Sequence, residues 1–356
     1  MKDSQTHTKK QRKFLKKKPA KSKATKKEHL GQSQTGSQRI SISSRLKEAF
    51  NNYANDVLLL FIPVGLFFIF VILILLNNYF LKKIYATQVP PFVEVNKINP
   101  YPYVGEMPLL PLSAKAAIVL DSNSQVAIFA KNPNLLFPMA STAKIMTALT
   151  AFDYYKFNSL LTIKSAFTEG SVLGLQVGDT FYFEDLLYAM LLPSANDAAV
   201  AVADNYFAGR DAFVVKMNEK AQLLHLTSTR FSDPTGLDDD HNYTNVTDMA
   251  RLASVAIKNE KLTQVTGTKQ RIITNASGTK QYVLSNLNKL LGINGVTGMK
   301  TGTTEGAKEV LVTSAVRDGH TFIIVVMNSE DRFGDTQTLL NFVDQSVQFI
   351  VPALQK

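Results

Sequence analysis

Residues 57–76 (VLLLFIPVGLFFIFVILILL) run for twenty positions without a charged or strongly polar side chain. At 1.5 Å rise per residue such a run spans the roughly 30 Å hydrocarbon core of a bilayer, and any fold for this chain must accommodate it. Pro63 and Gly65 would weaken a helix in water, but lipid-embedded helices tolerate them. A cleaved signal peptide would need a short leading segment and a small-residue cleavage site. Here more than fifty residues precede the run and no such site follows it in residues 77–86, so the run reads as an uncleaved transmembrane helix.

The charge distribution supports this division. The formal charge is +10, yet residues 1–50 hold 15 Lys/Arg against 3 Asp/Glu, whereas the remainder holds 24 against 26. The excess therefore lies in one arm and not on a folded face, which argues against nucleic-acid binding. Residues 1–50 are poor in large apolar side chains and read as a disordered basic arm. Its basic residues put the N-terminus on the cytoplasmic side of a single-pass membrane protein, with everything after the span extracellular or periplasmic. Residues 84–112 follow as a linker. Six of the thirteen prolines fall between Pro90 and Pro111, which disfavours helix and suits an extended path reaching up to roughly 70 Å. With no cysteine, disulfides, thiol catalysis and Cys-ligated metals are excluded.

Residues 113–356 read as the globular domain. Apolar runs at 115–120 and 125–130 predict one hairpin; runs at 309–316 and 321–327 flanking Asp318-Gly319 predict another. Between them, three-four apolar spacing predicts helices over 142–155, 183–192, 197–207, 211–224 and 247–258, and residues 335–350 predict a closing helix. The expected fold is α/β of the α+β type: an antiparallel sheet built from both ends of the domain, flanked by helices, with an inserted all-helical subdomain.

Acyl-transfer chemistry needs an activated nucleophile, and Ser141-Thr-Ala-Lys144 supplies a hydroxyl and an amine one helical turn apart. Ser-x-x-Lys also occurs at Ser44 and Ser277, but neither opens a long apolar-faced helix. Two further motifs occur once each: Ser194-Ala-Asn196 and Lys300-Thr301-Gly302. In order and spacing the set resembles the serine penicillin-binding proteins, most closely the low-molecular-mass D-alanyl-D-alanine carboxypeptidases, for which this triplet is a known signature. The resemblance extends over about 235 residues and takes in residues 231–237 (FSDPTGL), Thr247-Asp248 and Asn286-Leu-Asn288.

The resemblance implies a β-lactamase/transpeptidase-like fold and a serine carboxypeptidase that removes the terminal D-Ala from peptidoglycan pentapeptides without a cofactor or metal. β-Lactams would be covalent inhibitors. It makes Ser141 the nucleophile, Lys144 the base with its amine lowered by burial and by Lys300, Ser194 the proton relay to the leaving amine, and Asn196 the group holding Lys144 and substrate. Thr301 and Gly302 would line the substrate strand, the amides of Ser141 and Thr303 would form the oxyanion hole, and Arg332 would bind the terminal carboxylate. Where the family commonly has Ala-Gly, this chain has Ala307-Lys308-Glu309, which bears on the geometry of that strand.

Other readings compete. The same fold could host an endopeptidase, a transpeptidase or a β-lactamase-like hydrolase, although residues 229–240 lack the glutamate that class A β-lactamases use for deacylation. A zinc peptidase would need clustered ligands, and His225, His241 and His320 are scattered. Asp238–Asp240 reads as a solvated turn in preference to a calcium loop. A non-catalytic wall-binding scaffold would have no need of Ser141, Lys144 and Lys300 together.

Overall fold

The computed structural model describes residue 47, residues 63–83 and residues 100–350. The chain divides into two units, residues 1–93 and 94–356. In the first, the described helix Pro63–Lys83 has a mean hydropathy of 2.4, long and apolar enough to cross a bilayer. It runs past Leu76, where the apolar stretch ends, to Lys83; residues 57–62 of the expected span lie outside the described residues, as do most of the basic arm and residues 84–99 of the linker.

The second unit is organised by a five-stranded antiparallel sheet in the order Val296–Thr304, Lys308–Arg317, His320–Ser329, Ala116–Asp121, Ala127–Lys131. Both expected hairpins are present. Asp318 and Gly319 take the positive φ values, 48° and 78°, that a tight hairpin turn demands. The sheet carries apolar side chains on both faces, so its strands read as continuous apolar runs as well as alternations. Ala117, Val119, Leu311, Ile324 and Val326 face Leu339, Leu340, Phe342 and Val343 of the C-terminal helix Arg332–Ser346. Ile118, Leu120, Val312, Ile323 and Val325 face the other way, into the larger core shared with the helical insert.

That insert holds the helices Lys144–Ala151, Phe183–Leu191, Asn196–Asp204, Gly209–Leu223 and Val246–Ala256 near their expected positions, and adds Glu260–Thr266. It also contains three short two-stranded ribbons, of which Gln270–Thr274 with Gln281–Ser285 is the longest. The closing helix differs from expectation. It starts at Arg332, capped by Asp331 Oδ1 accepting from Gly334 N at 2.9 Å, and ends at Ser346. Residues Val347–Ile350 form a strand paired with Tyr101–Val104, so this part of the Pro-rich linker packs on the domain. In this strand Phe349 stacks on His320 at 3.3 Å between ring centroids.

Asp335 clamps the ends of the domain together. Its carboxylate accepts from Ser113 N (2.8 Å), Ser113 Oγ (2.7 Å), Ala114 N (2.7 Å) and Ser329 Oγ (2.6 Å).

Candidate active site

The expected helix over 142–155 is broken into a 3-10 turn, Ala140–Ala143, and an α-helix, Lys144–Ala151, so Ser141 sits in the turn and Lys144 opens the helix. The turn is tightly constrained. Ala140 has φ +48°, costing of order 1 kcal/mol for a non-glycine residue, and its carbonyl packs against Gly236. Gly236 has φ +84°, and a β-carbon there would fall 1.9 Å from Ala140 O. On the opposite side the strand Val296–Thr304 presses on the turn at Gly302, where a β-carbon would stand 2.9 Å from Ala140 Cβ and 3.1 Å from Ser141 N. Two glycines thus let a loop and a strand close on the residue before Ser141.

Lys144 is fully buried, and its Nζ lies 2.8 Å from Ser141 Oγ, 2.6 Å from Asn196 Oδ1 and 2.7 Å from the Thr235 carbonyl. Asn196 is oriented by the other end of its amide, since Nδ2 donates to Glu169 O at 2.8 Å. As an ammonium, Lys144 donates to all three oxygens. As a neutral amine it keeps two N–H donors, which Asn196 Oδ1 and Thr235 O take, leaving the lone pair toward Ser141 Oγ. Burial lowers the Lys144 pKa to about 7, against the opposing pull of Asp233 and then Asp197. The sequence suggested that the Lys300 charge would share in this. Burial is the first cause of the Lys144 shift, and Lys144 in turn helps lower Lys300.

Lys300 is 1% exposed, donates to the Thr301 carbonyl at 2.9 Å, and is pushed well below the usual lysine range by burial, then by Lys144 and Arg332. Ser194 takes φ +68° in the turn between the helices Phe183–Leu191 and Asn196–Asp204; its hydroxyl is buried without a hydrogen-bond partner. Arg332 Nη1 donates to Gly302 O at 2.8 Å and to Thr303 Oγ1, while Nε has no hydrogen-bond partner. The fold thus brings Arg332 to the end of the Lys300-Thr-Gly strand across 30 residues of sequence, next to Glu309, whose Oε2 accepts from Arg332 N at 3.0 Å. Arg332 is itself shifted down by burial, with Glu309 opposing.

Lys308, the departure from the family pattern, adopts φ +54°, a conformation glycine takes without steric cost. Lys308→Gly is therefore expected to stabilise the domain by about 1 kcal/mol, measured by denaturant unfolding; an unchanged midpoint would show that the left-handed backbone carries no cost here.

Other residues singled out from sequence hold structure. Asn286 Nδ2 donates to Thr266 O and Thr268 O at 3.1 and 3.0 Å, and Asp248 accepts from Ser228 N and Thr229 Oγ1. Asp238 ties the loop to the hairpin tip, accepting from Thr304 Oγ1 and Gly306 N. Among the described residues no group of His, Cys, Asp and Glu is placed to hold a metal ion. Four groups around Lys144 carried no assigned role in the sequence: Asp197, Asp233, Thr235 and Gly236. Asp233, Thr235 and Gly236 all lie in the stretch 231–237, whose likeness to the family pattern was the signal pointing to them.

Known proteins resemble this chain in sequence and in fold. A sequence model described as D-alanyl-D-alanine carboxypeptidase matches residues 106–331. The D-alanyl-D-alanine carboxypeptidase DacF of Bacillus subtilis is 32% identical over 240 residues, which span 64% of this chain and 61% of that protein's length. A D-alanyl-D-alanine endopeptidase of Pseudomonas aeruginosa is 29% identical over 69% of this chain and 82% of its own. The crystal structure of the Streptomyces K15 DD-transpeptidase superposes with a TM-score of 0.63 at 30% identity, covering 67% of this chain and 98% of that one.

Proposed function

The chain belongs to the D-alanyl-D-alanine carboxypeptidase family, and on that premise we propose that it is a membrane-anchored serine carboxypeptidase removing the terminal D-Ala from peptidoglycan stem peptides. The observation that carries this reading is the Lys144 amine, buried, lowered to about 7 and held by two fixed acceptors so that its lone pair meets the Ser141 hydroxyl.

In the reaction, Ser141 Oγ attacks the carbonyl carbon of the D-Ala-D-Ala bond as its proton passes to Lys144. The oxyanion forms against the amides of Ser141 and Thr303. The C–N bond breaks, the departing amine takes a proton through Ser194, and D-alanine leaves. Water then attacks the ester on Ser141, with Lys144 again accepting a proton, and frees the shortened peptide. Asn196 holds Lys144 and the substrate backbone, and Lys300, Thr301 and Gly302 line the strand edge. Penicillin follows the first half of this path and stalls as an acyl-enzyme. The apolar helix Pro63–Lys83 supplies the anchor, with the basic arm cytoplasmic and the catalytic domain outside.

The test is release of D-alanine from a pentapeptide by the full-length protein. Transfer to an added amine, or cleavage of cross-linked dimers without D-alanine release, would instead assign transpeptidase or endopeptidase activity. Arg332 supports the carboxylate specificity, because its guanidinium is held at the end of the Lys300-Thr301-Gly302 strand by the Gly302 carbonyl. Arg332→Leu is expected to lower kcat/KM on the free-acid peptide by about 30-fold. Peptide amidated at its C-terminus should be turned over equally poorly by both proteins; an equal loss on both peptides in the variant would rule out carboxylate recognition by Arg332.

A further inference from the structure

We infer that Asp233 is a positioning residue for the reaction, fixing the peptide unit that orients the Lys144 amine and setting a carboxylate charge against it. This rests on the reading that Lys144 activates Ser141. One oxygen of Asp233, Oδ1, accepts from Thr235 N (2.5 Å), Thr235 Oγ1 (2.5 Å) and Gly236 N (2.9 Å), and Oδ2 accepts from Asn242 Nδ2 at 2.6 Å. The bond to Gly236 N is the informative one. A trans peptide unit is rigid and points its N–H and C=O in opposite directions. The unit whose N–H is held by Asp233 is the one whose carbonyl, Thr235 O, takes a hydrogen from Lys144 Nζ at 2.7 Å.

Asp233 therefore acts on the amine through a single planar group. The same turn is fastened to the helix that carries Lys144, since Thr147 Oγ1 donates to Pro234 O at 2.7 Å. It also touches the residue before Ser141 through Gly236, whose φ of +84° leaves room for the Ala140 carbonyl.

The charges bearing on Lys144 are few. Asp233 and Asp197 favour its protonated form, and Asp233 is the stronger of the two. Asp197 is buried, with its carboxylate bonded to the Leu173, Gly174, Leu175 and Ala198 amides. Lys300 stands against Lys144, with Arg332 acting on Lys300 in turn, and Arg210 lies within electrostatic reach of Asp233. Removing the Asp233 charge while keeping an acceptor at Oδ1 should let Lys144 lose its proton at lower pH, keeping the Thr235 and Gly236 bonds while giving up the one from Asn242 Nδ2.

The experiment measures second-order acylation by a fluorescent penicillin from pH 5.5 to 9, using full-length protein in detergent micelles. Asp233→Asn is expected to shift the acid limb to lower pH. At pH 6 its rate, relative to its own plateau, should be about three-fold that of wild type, with plateaus agreeing within about three-fold. Asp344→Asn, which removes a remote carboxylate paired with Arg317, should superimpose on wild type. A folded Asp233→Asn with the wild-type midpoint overturns the inference, whatever its plateau. If Asp233→Asn does not fold, Asp233→Ser carries the same expectation, and failure of both to fold would make the role purely structural and overturn it equally. Absence of Ser141-dependent labelling in wild type at every pH would remove the underlying reading of Lys144 instead.

Discussion

Ser141→Ala is expected to abolish covalent labelling by penicillin and to lower D-alanine release at least about 10³-fold, while leaving unfolding stability within about 1 kcal/mol of the parent. The asymmetry follows from where Ser141 sits. It is half-buried in a 3-10 turn whose shape is set by its neighbours: Gly236 behind Ala140, Gly302 beside the Ser141 amide, and the Thr142 hydroxyl donating to Met139 O at 2.5 Å. The Ser141 hydroxyl itself contributes one hydrogen bond, to Lys144, which retains two other acceptors. Removing it deletes the only atom that can form the ester while disturbing little else. Residual labelling in Ser141→Ala at more than about one part in 10³ of wild type would point to another nucleophile; a large loss of stability would mean the turn depends on the hydroxyl after all.

Lys144→Met should lower acylation by about 10³-fold and also change how stability responds to pH. The sign follows from the two pKa values. In the unfolded chain the amine holds its proton up to about 10.5, and in the folded protein only to about 7. Between these values the unfolded state binds more protons, so wild-type stability rises with pH from about 7 to 10.5. Below 7 the cost of burying the amine is fully present, about 5 kcal/mol for a depression from 10.5 to about 7. Methionine carries no such cost but leaves Asn196 Oδ1 and Thr235 O without their donor, at about 1–3 kcal/mol each. The two effects nearly offset at pH 7. As pH rises to 10 the wild type gains about 4 kcal/mol that the variant does not, so the stability difference measured by urea unfolding should move against Lys144→Met by that amount. A difference independent of pH would show that Lys144 is charged in the folded protein across this range. Wild-type acylation should correspondingly fall about tenfold per pH unit below 7.

The elements legible in the sequence were those whose signal is local. Asp318-Gly319 marks its hairpin because only certain residues take positive φ there, and the helices of the insert announce themselves through apolar spacing. Ser141 and Lys144 were legible as a pair because three residues of helix or 3-10 turn put them together. The groups that tune the pair were not. Thr235 meets Lys144 across 91 residues and Asn196 across 52, and in each case the contact depends on where a turn is delivered by the tertiary fold. Ser194-Ala-Asn196 could be assigned through family resemblance, but no resemblance gave Asp233 a task, since its action passes through a backbone carbonyl that carries no sequence identity. The last helix was misjudged at its end for a related reason. Residues 347–350 have the composition to continue it, and what stops it is a strand partner nearly 250 residues earlier, Tyr101–Val104.

The Asp335 clamp bears on how the domain is made. Ser113 and Asp335 are separated by 222 residues, and the strand Ala116–Asp121, paired on one side with Ala127–Lys131, finds its other neighbour in the distant His320–Ser329. A chain synthesised from its N-terminus must therefore keep its first hairpin, apolar on both faces, waiting until nearly all of the domain has followed. Pairings of such long sequence separation form slowly, because the loop must close before any contact rewards it. Truncation before His320 would leave that hairpin without its partner strand, and loss of Asp335 would undo the clamp, so such truncations should be cleared as aggregates or by proteolysis and not persist as partly active enzyme. Ser141 and Lys144 lie early in the domain; the strand and the clamp that close the sheet beside them, His320–Ser329 and Asp335, come from its far end.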